Sequence, residues 1–152
     1  MKLASGLPPI FVAAHEGERL RQAARPLAER GYPVARFLLS ELDRAILCRP
    51  GELPDDILAM KCRATYRVDD RDETESRFLV YPEDYAPYSD RVSVLSAVGA
   101  ALLGLRVGDR MLYRAPDGVQ HSVMVERIDY RPRGRGAPLR GRAQAAGPEG
   151  AA

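Results

Sequence analysis

Few of the residues able to do chemistry stand at spacings that would let them do it. Asp69, Asp70, Asp72 and Glu73 fall within five positions, as the oxygen ligands of a calcium loop would. That run lacks the glycine at the sixth position and the bidentate Glu at the twelfth, so it reads as the solvated tip of a strand hairpin. Cys48, Cys62, His15 and His121 are all the cysteines and histidines in the chain, and no two form a close ligand pair. Buried or half-buried thiols are expected, with no metal and no other cofactor. His15 with Ser40, or His121 with Ser122, could be drawn as fragments of a Ser/His arrangement. Neither has an evident orienting acid or a strained nucleophile turn, and His121 alternates with Val119, Val123 and Val125 as a strand residue would. No catalytic set is assigned, and the chain is expected not to be an enzyme.

The elements that must position these residues come from periodicity and breakers. Ile10-Phe11-Val12 reads as a short strand or anchor. His15 to Ala24 is polar, with Leu20, Ala23, Ala24 and then Leu27 as its apolar positions, an amphipathic helix with Glu16 and Glu18 near its positive end. An interior proline costs about 3 kcal/mol of helix, so Pro26 is expected to stop or kink it near Ala24. Glu29 to Pro33 is expected to bend. Val34, Phe37, Leu38, Leu42, Ala45 and Ile46 then mark one face of a second helix, with Glu41, Asp43 and Arg44 off that face. Together these predict an N-terminal segment followed by a short antiparallel helical hairpin, about 22 Å long at the helical rise, within residues 1–50.

Arg49 to Pro54, with two prolines and a glycine, is the expected boundary. Beyond it Met60 to Val68 alternates as a half-buried strand, Ser76 to Tyr81 returns, and Glu83 to Asp90 is an irregular aromatic loop holding Tyr85 and Tyr88. Arg91 to Leu95, Arg110 to Ala115 and Val119 to Tyr130 are further strands. Between them lies Ser93 to Asp109, the most specific passage. Val98, Ala101 and Leu102 recur at helical spacing, Gly104 is a helix stop, and Gly99-Ala100-Ala101 strips bulk so that a short helix can lie close to what it covers. The predicted class is α+β, an antiparallel sheet with one short helix over residues 51–131.

The run Ser96 to Gly104, followed by Val107-Gly108-Asp109, Pro116-Asp117-Gly118 and Ile128-Asp129-Tyr130, resembles the C-terminal domain of the Gre transcription elongation factors. With Leu42-Asp43-Arg44-Ala45 upstream and Leu79-Val80-Tyr81-Pro82 between, the order of pieces is more fully similar to their shorter relatives, the nucleoside diphosphate kinase regulators. The resemblance spans about Pro9 to Tyr130. It implies an FKBP-like fold for the second part and RNA polymerase as partner; a cytoplasmic protein is expected separately, because Met1 to Ile10 carries no signal-peptide pattern. The C-terminal part would dock on the polymerase rim through Ser96, Ala97, Val98 and Ala100, and the coiled-coil hairpin would address the secondary channel with Glu29, Arg30 and Tyr32 at its tip.

In Gre factors paired tip carboxylates help to hold a catalytic magnesium, because a hard cation wants several oxygen ligands. Here Glu29 is the only acid from Arg25 to Phe37, beside a guanidinium that opposes cation binding, and the arm is short. The resemblance therefore implies occupation of the channel and competition with Gre-type factors without transcript cleavage. The alternatives are a cleavage-stimulating factor and a direct protein regulator of nucleoside diphosphate kinase. Ala97 stands where the family pattern usually has proline, which implies a looser docking loop. Proline isomerisation, an activity of the implied fold, would need an apolar proline pocket, and the chain has no Trp to floor one.

Net charge is +2, too small to argue for nucleic acid by itself. Arg131, Arg133, Arg135, Arg140 and Arg142 nevertheless crowd together with no acid among them, in what is expected to be a solvated, disordered tail over residues 132–152 with a nucleic-acid contact as the other reading. No apolar run approaches the length of a membrane span, so no membrane is expected, and without a long heptad seam a monomer is expected.

Overall fold

A computed structural model describes residues 7–132. Strand β1 (Phe11–Ala13) leads into helix α1 (Ala14–Glu29), a bend, helix α2 (Pro33–Arg44) and strand β2 (Ile46–Cys48). The larger sheet follows with β3 (Arg63–Val68), β4 (Glu75–Val80), a single helical turn at Pro82–Asp84, β5 (Arg91–Ser93), helix α3 (Ala97–Leu102), β6 (Arg110–Arg114) and β7 (Gln120–Tyr130).

Helix α1 does not end near Ala24. It runs through Pro26 because the cost of one lost N–H falls in the last turns, where Leu27 and Ala28 pack on the core. Arg30, Gly31 and Tyr32 then donate backbone N–H groups to Pro26, Leu27 and Ala28, which closes the helix end. Pro33 opens α2, where its fixed φ is already helical. Ala35, Leu38 and Leu42 are buried along α2 as the stripe predicts.

Two expectations for α2 need correction. Glu41, read as lying off the apolar face, is buried. Arg44 one turn on binds both its carboxylate oxygens (2.7 and 3.0 Å) and donates to the Pro8 carbonyl (2.7 Å). Ile46, read as core, is 48% exposed, because the chain turns extended at Ala45 and Ile46–Cys48 pairs in parallel with Phe11–Ala13.

The large sheet has the order β5-β4-β3-β7-β6. Three of its four pairings are antiparallel, but β4 and β5 run parallel, so the sheet is mixed and not antiparallel as expected. The loop through Pro82–Asp84 carries the chain back along the sheet before β5 begins, and this crossover fixes the parallel direction. β3 starts at Arg63 and not Met60, since Lys61 adopts φ +69, although Lys61 N–H still reaches the Leu79 carbonyl at 2.7 Å.

One hydrophobic cluster joins the helices to the sheet. Ile10, Leu20, Leu38 and Leu42 from the N-terminal part share it with Tyr66, Leu79, Leu102, Met111 and Val125. The motif residues fasten the two together. Tyr81 donates its phenol proton to Glu16 and lies under the Arg19 guanidinium at 3.7 Å, and Arg19 pairs with Glu83 at 2.8 Å. Within the helical pair Arg21 binds Asp43 (2.8 Å), and Arg36 donates to the Ala28 carbonyl (3.3 Å). Among the described residues no helix is long and apolar enough to cross a membrane.

Candidate functional site

Helix α3 is held by backbone geometry that its small residues permit. A Cβ on Gly99 would lie 1.9 Å from the Ser93 carbonyl oxygen. The close approach Gly99 allows is therefore to the turn that precedes α3. Ser93 O accepts from Ser96 N–H (3.0 Å) and from the Ser96 hydroxyl (2.7 Å), and Ser96 Oγ in turn accepts from Gly99 N–H (3.1 Å), an N-cap that fixes where the helix starts. Gly104, at φ +80, ends the segment, with Ile10 Cβ and the backbone of Phe11 against the place of its missing Cβ.

Of the four residues expected to dock, Ser96, Ala97 and Val98 are half-buried and reach the surface, whereas Ala100 is 1% exposed and belongs to the core. Ser96 and Val98 border an open groove of about 710 Å³. Its far wall is the loop between β4 and β5, where Tyr85 is exposed and Tyr88, at φ +57, is fully so. The loop is pinned: Arg77 donates to the Ser89 carbonyl (3.0 Å) and Arg91 to the Asp84 carbonyl (2.7 Å). On the groove lining, Tyr66 donates to Glu75 (3.4 Å), which also accepts from Arg77. Burial pushes the Tyr66 phenol up to about 12, with the Glu75 charge adding to it. The sequence reading assigned these loop residues no role, though two tyrosines beside two prolines in one short loop were a signal.

At the other end, Glu29, Arg30 and Tyr32 are all exposed at the bend between α1 and α2, which turns through Gly31 at φ +90. The Arg30 guanidinium lies 5.5 Å from the Tyr32 ring centre. The structure places these three in one bend, and Glu29 belongs to no group of three or more potential metal ligands among the described residues. No group of three His, Cys, Asp or Glu side chains among the described residues could hold a metal ion.

The acid missing beside His121 is Asp69, which sequence spacing could not show. Asp69 takes the His121 Nδ1 contact on one oxygen and Ser122 N–H on the other (2.9 Å). The His121 hydrogen bond, with that of Ser122, holds its carboxyl below the usual carboxylate range. No nucleophile completes the pair, since Ser122 Oγ is engaged by Arg110 (3.2 Å) and successive strand residues point to opposite faces. The pair instead ties the acidic turn, with Asp69 and Asp70 both at positive φ, to β7. Cys62 is buried, which pushes its thiol up, and Cys48 is half-buried and unpaired. Arg131, read as part of the tail, is seated on the carbonyls of Asp55 (3.2 Å) and Ile57 (2.8 Å). The remaining tail arginines lie outside the described residues.

Residues 53–130 match the family described as "Transcription elongation factor, GreA/GreB, C-term". The chain is 38% identical over 129 residues to the "Regulator of nucleoside diphosphate kinase" of Escherichia coli K12, covering 85% of this chain and 95% of that protein. It is also 32% identical over 82 residues to the transcription elongation factor GreA of Clostridium botulinum, 54% of this chain and 51% of that one. Among solved structures, a prokaryotic transcription elongation factor GreA/GreB from Nitrosomonas europaea superposes with a TM-score of 0.64 at 32% identity, over 81% of this chain and 99% of the other.

Proposed function

The chain belongs to the nucleoside diphosphate kinase regulator family, with a GreA/GreB-type C-terminal region, and from that premise we propose that it is an RNA polymerase-binding regulator of transcript elongation that does not stimulate cleavage. In this reading residues 51–131 form an FKBP-like docking unit, and the two helices within residues 1–50 an antiparallel hairpin aimed at the secondary channel. The groove bordered by Ser96 and Val98, with half-buried Ala97 between them in sequence, is the docking face. Occupying that place excludes Gre-type factors by sterics.

The observation that carries the reading is the tip. A hard cation needs several oxygen ligands from its site, and this tip offers Glu29 alone, with a guanidinium beside it. The test is binding of the purified chain to core RNA polymerase with a cleavage-active Gre factor as competitor, followed by cleavage on backtracked complexes. Displacement without added cleavage is expected. Absence of binding, or cleavage that Glu29→Ala abolishes, would overturn the proposal.

A second reading, direct regulation of nucleoside diphosphate kinase, is favoured by the name of the 38% identical relative. Complex formation between the two purified proteins, without polymerase, separates it from the first.

A further inference from the structure

The hairpin tip carries more charge than its own fold uses. Arg25 lies one turn before Glu29 on α1, Arg30 begins the bend, and Arg36 stands in the first turn of α2. Among the described residues none of these guanidinium groups meets a carboxylate. Arg36 donates to the Ala28 carbonyl, Arg30 lies by the Tyr32 ring, and Glu29 is in no ion pair. The backbone adds to this potential. At the end of α1 the carbonyls of Pro26, Leu27 and Ala28 accept the N–H groups of Arg30, Gly31 and Tyr32, so the negative helix end is answered locally. At the start of α2 no side chain caps the helix, so the positive end stays open.

We infer that this tip is a docking point for the carboxylates of an acidic, concave protein surface. A hairpin end is convex, so it can enter a recess but cannot enclose a small anion as a pocket does. A guanidinium fork matches a carboxylate with two parallel hydrogen bonds. A nucleic-acid strand would want free aromatic faces on which bases stack, and the one ring at the tip, Tyr32, already has Arg30 against it. The inference goes beyond the polymerase reading and holds whichever protein supplies the recess.

The test follows the backbone amides of Gly31, Tyr32, Val34 and Ala35 by NMR in the full chain. A capped poly-glutamate peptide, or an oligo-uridylate of equal length, is titrated in at low salt. The peptide is expected to shift these amides. Arg25→Gln/Arg30→Gln should weaken its binding by about fivefold or more, as for two lost exposed ion pairs, and Glu29→Gln should strengthen it. An unchanged thermal midpoint shows that the variants fold. Peptide shifts confined to the C-terminal arginines, or absent, would overturn the inference, as would tighter binding of the tip to oligo-uridylate. Binding to core polymerase is measured separately, so the docking proposal and this one can fail independently.

Discussion

The two ends proposed to meet a partner are built on opposite principles. Around α3 the backbone is crowded, so that Gly99 sits where any side chain would collide with Ser93. At the tip the backbone is open: a Cβ on Gly31 would meet nothing within 4 Å, and glycine is required there by its φ alone. The α3 end answers its polar groups internally, through Ser96, Ser93 and the Tyr66–Glu75–Arg77 chain. The tip leaves its charges to solvent. A rigid, self-satisfied shoulder holds a surface in place, and an unsatisfied tip supplies charge for something else to answer.

Substitutions can break that contrast, beginning with its strongest element. Gly99→Ala should cost about 3 kcal/mol or more, because the neighbour in the way is backbone carbonyl and cannot swing aside; denaturant unfolding measures it. Next is Tyr66. Its folded pKa lies above that of an unfolded phenol, so its contribution is complete below pH about 10 and is lost as pH rises through about 12. Alkaline unfolding of wild type against Tyr66→Phe should show roughly 2 kcal/mol of this dependence, absent in the variant. Ser96→Ala, which removes the cap and the tie to Ser93, should cost about 1.5 kcal/mol by thermal melting. Gly31→Ala should cost only about 1 kcal/mol, the left-handed penalty without a clash, and Gly31→Asn less. Should Gly31→Ala prove as costly as Gly99→Ala, the contrast between the two ends would be wrong.

Much of this was legible in the residues. The stripe of α2, the hairpin of β6 and β7, the stop at Gly104 and the exposed tip all follow from local pattern. What local pattern missed was decided at a distance. The helix penalty of Pro26 is outweighed by core contacts of Leu27 and Ala28. Ile46 continues a helical stripe on paper, yet pairing with Phe11 draws it into a strand. Glu41 has a polar residue's pattern but is buried with Arg44 as partner. Beside the groove, Ser96 and Val98 were singled out by motif, whereas Tyr85 and Tyr88 line it with them only because the crossover to β5 folds back over the sheet. Asp69 meets His121 across a separation that no spacing rule reaches.

The hydrogen bond from Phe11 N–H to the Gly104 carbonyl (3.1 Å) closes the first strand against the end of α3. During synthesis the early helices must therefore wait until the chain has grown past Gly104 before their apolar faces find full cover. At about 5–20 residues per second that interval is several seconds. The hairpin thus emerges from the ribosome with Ile10, Leu20 and Leu38 uncovered. Truncation before Gly104 should yield an aggregation-prone product and not a free helical domain.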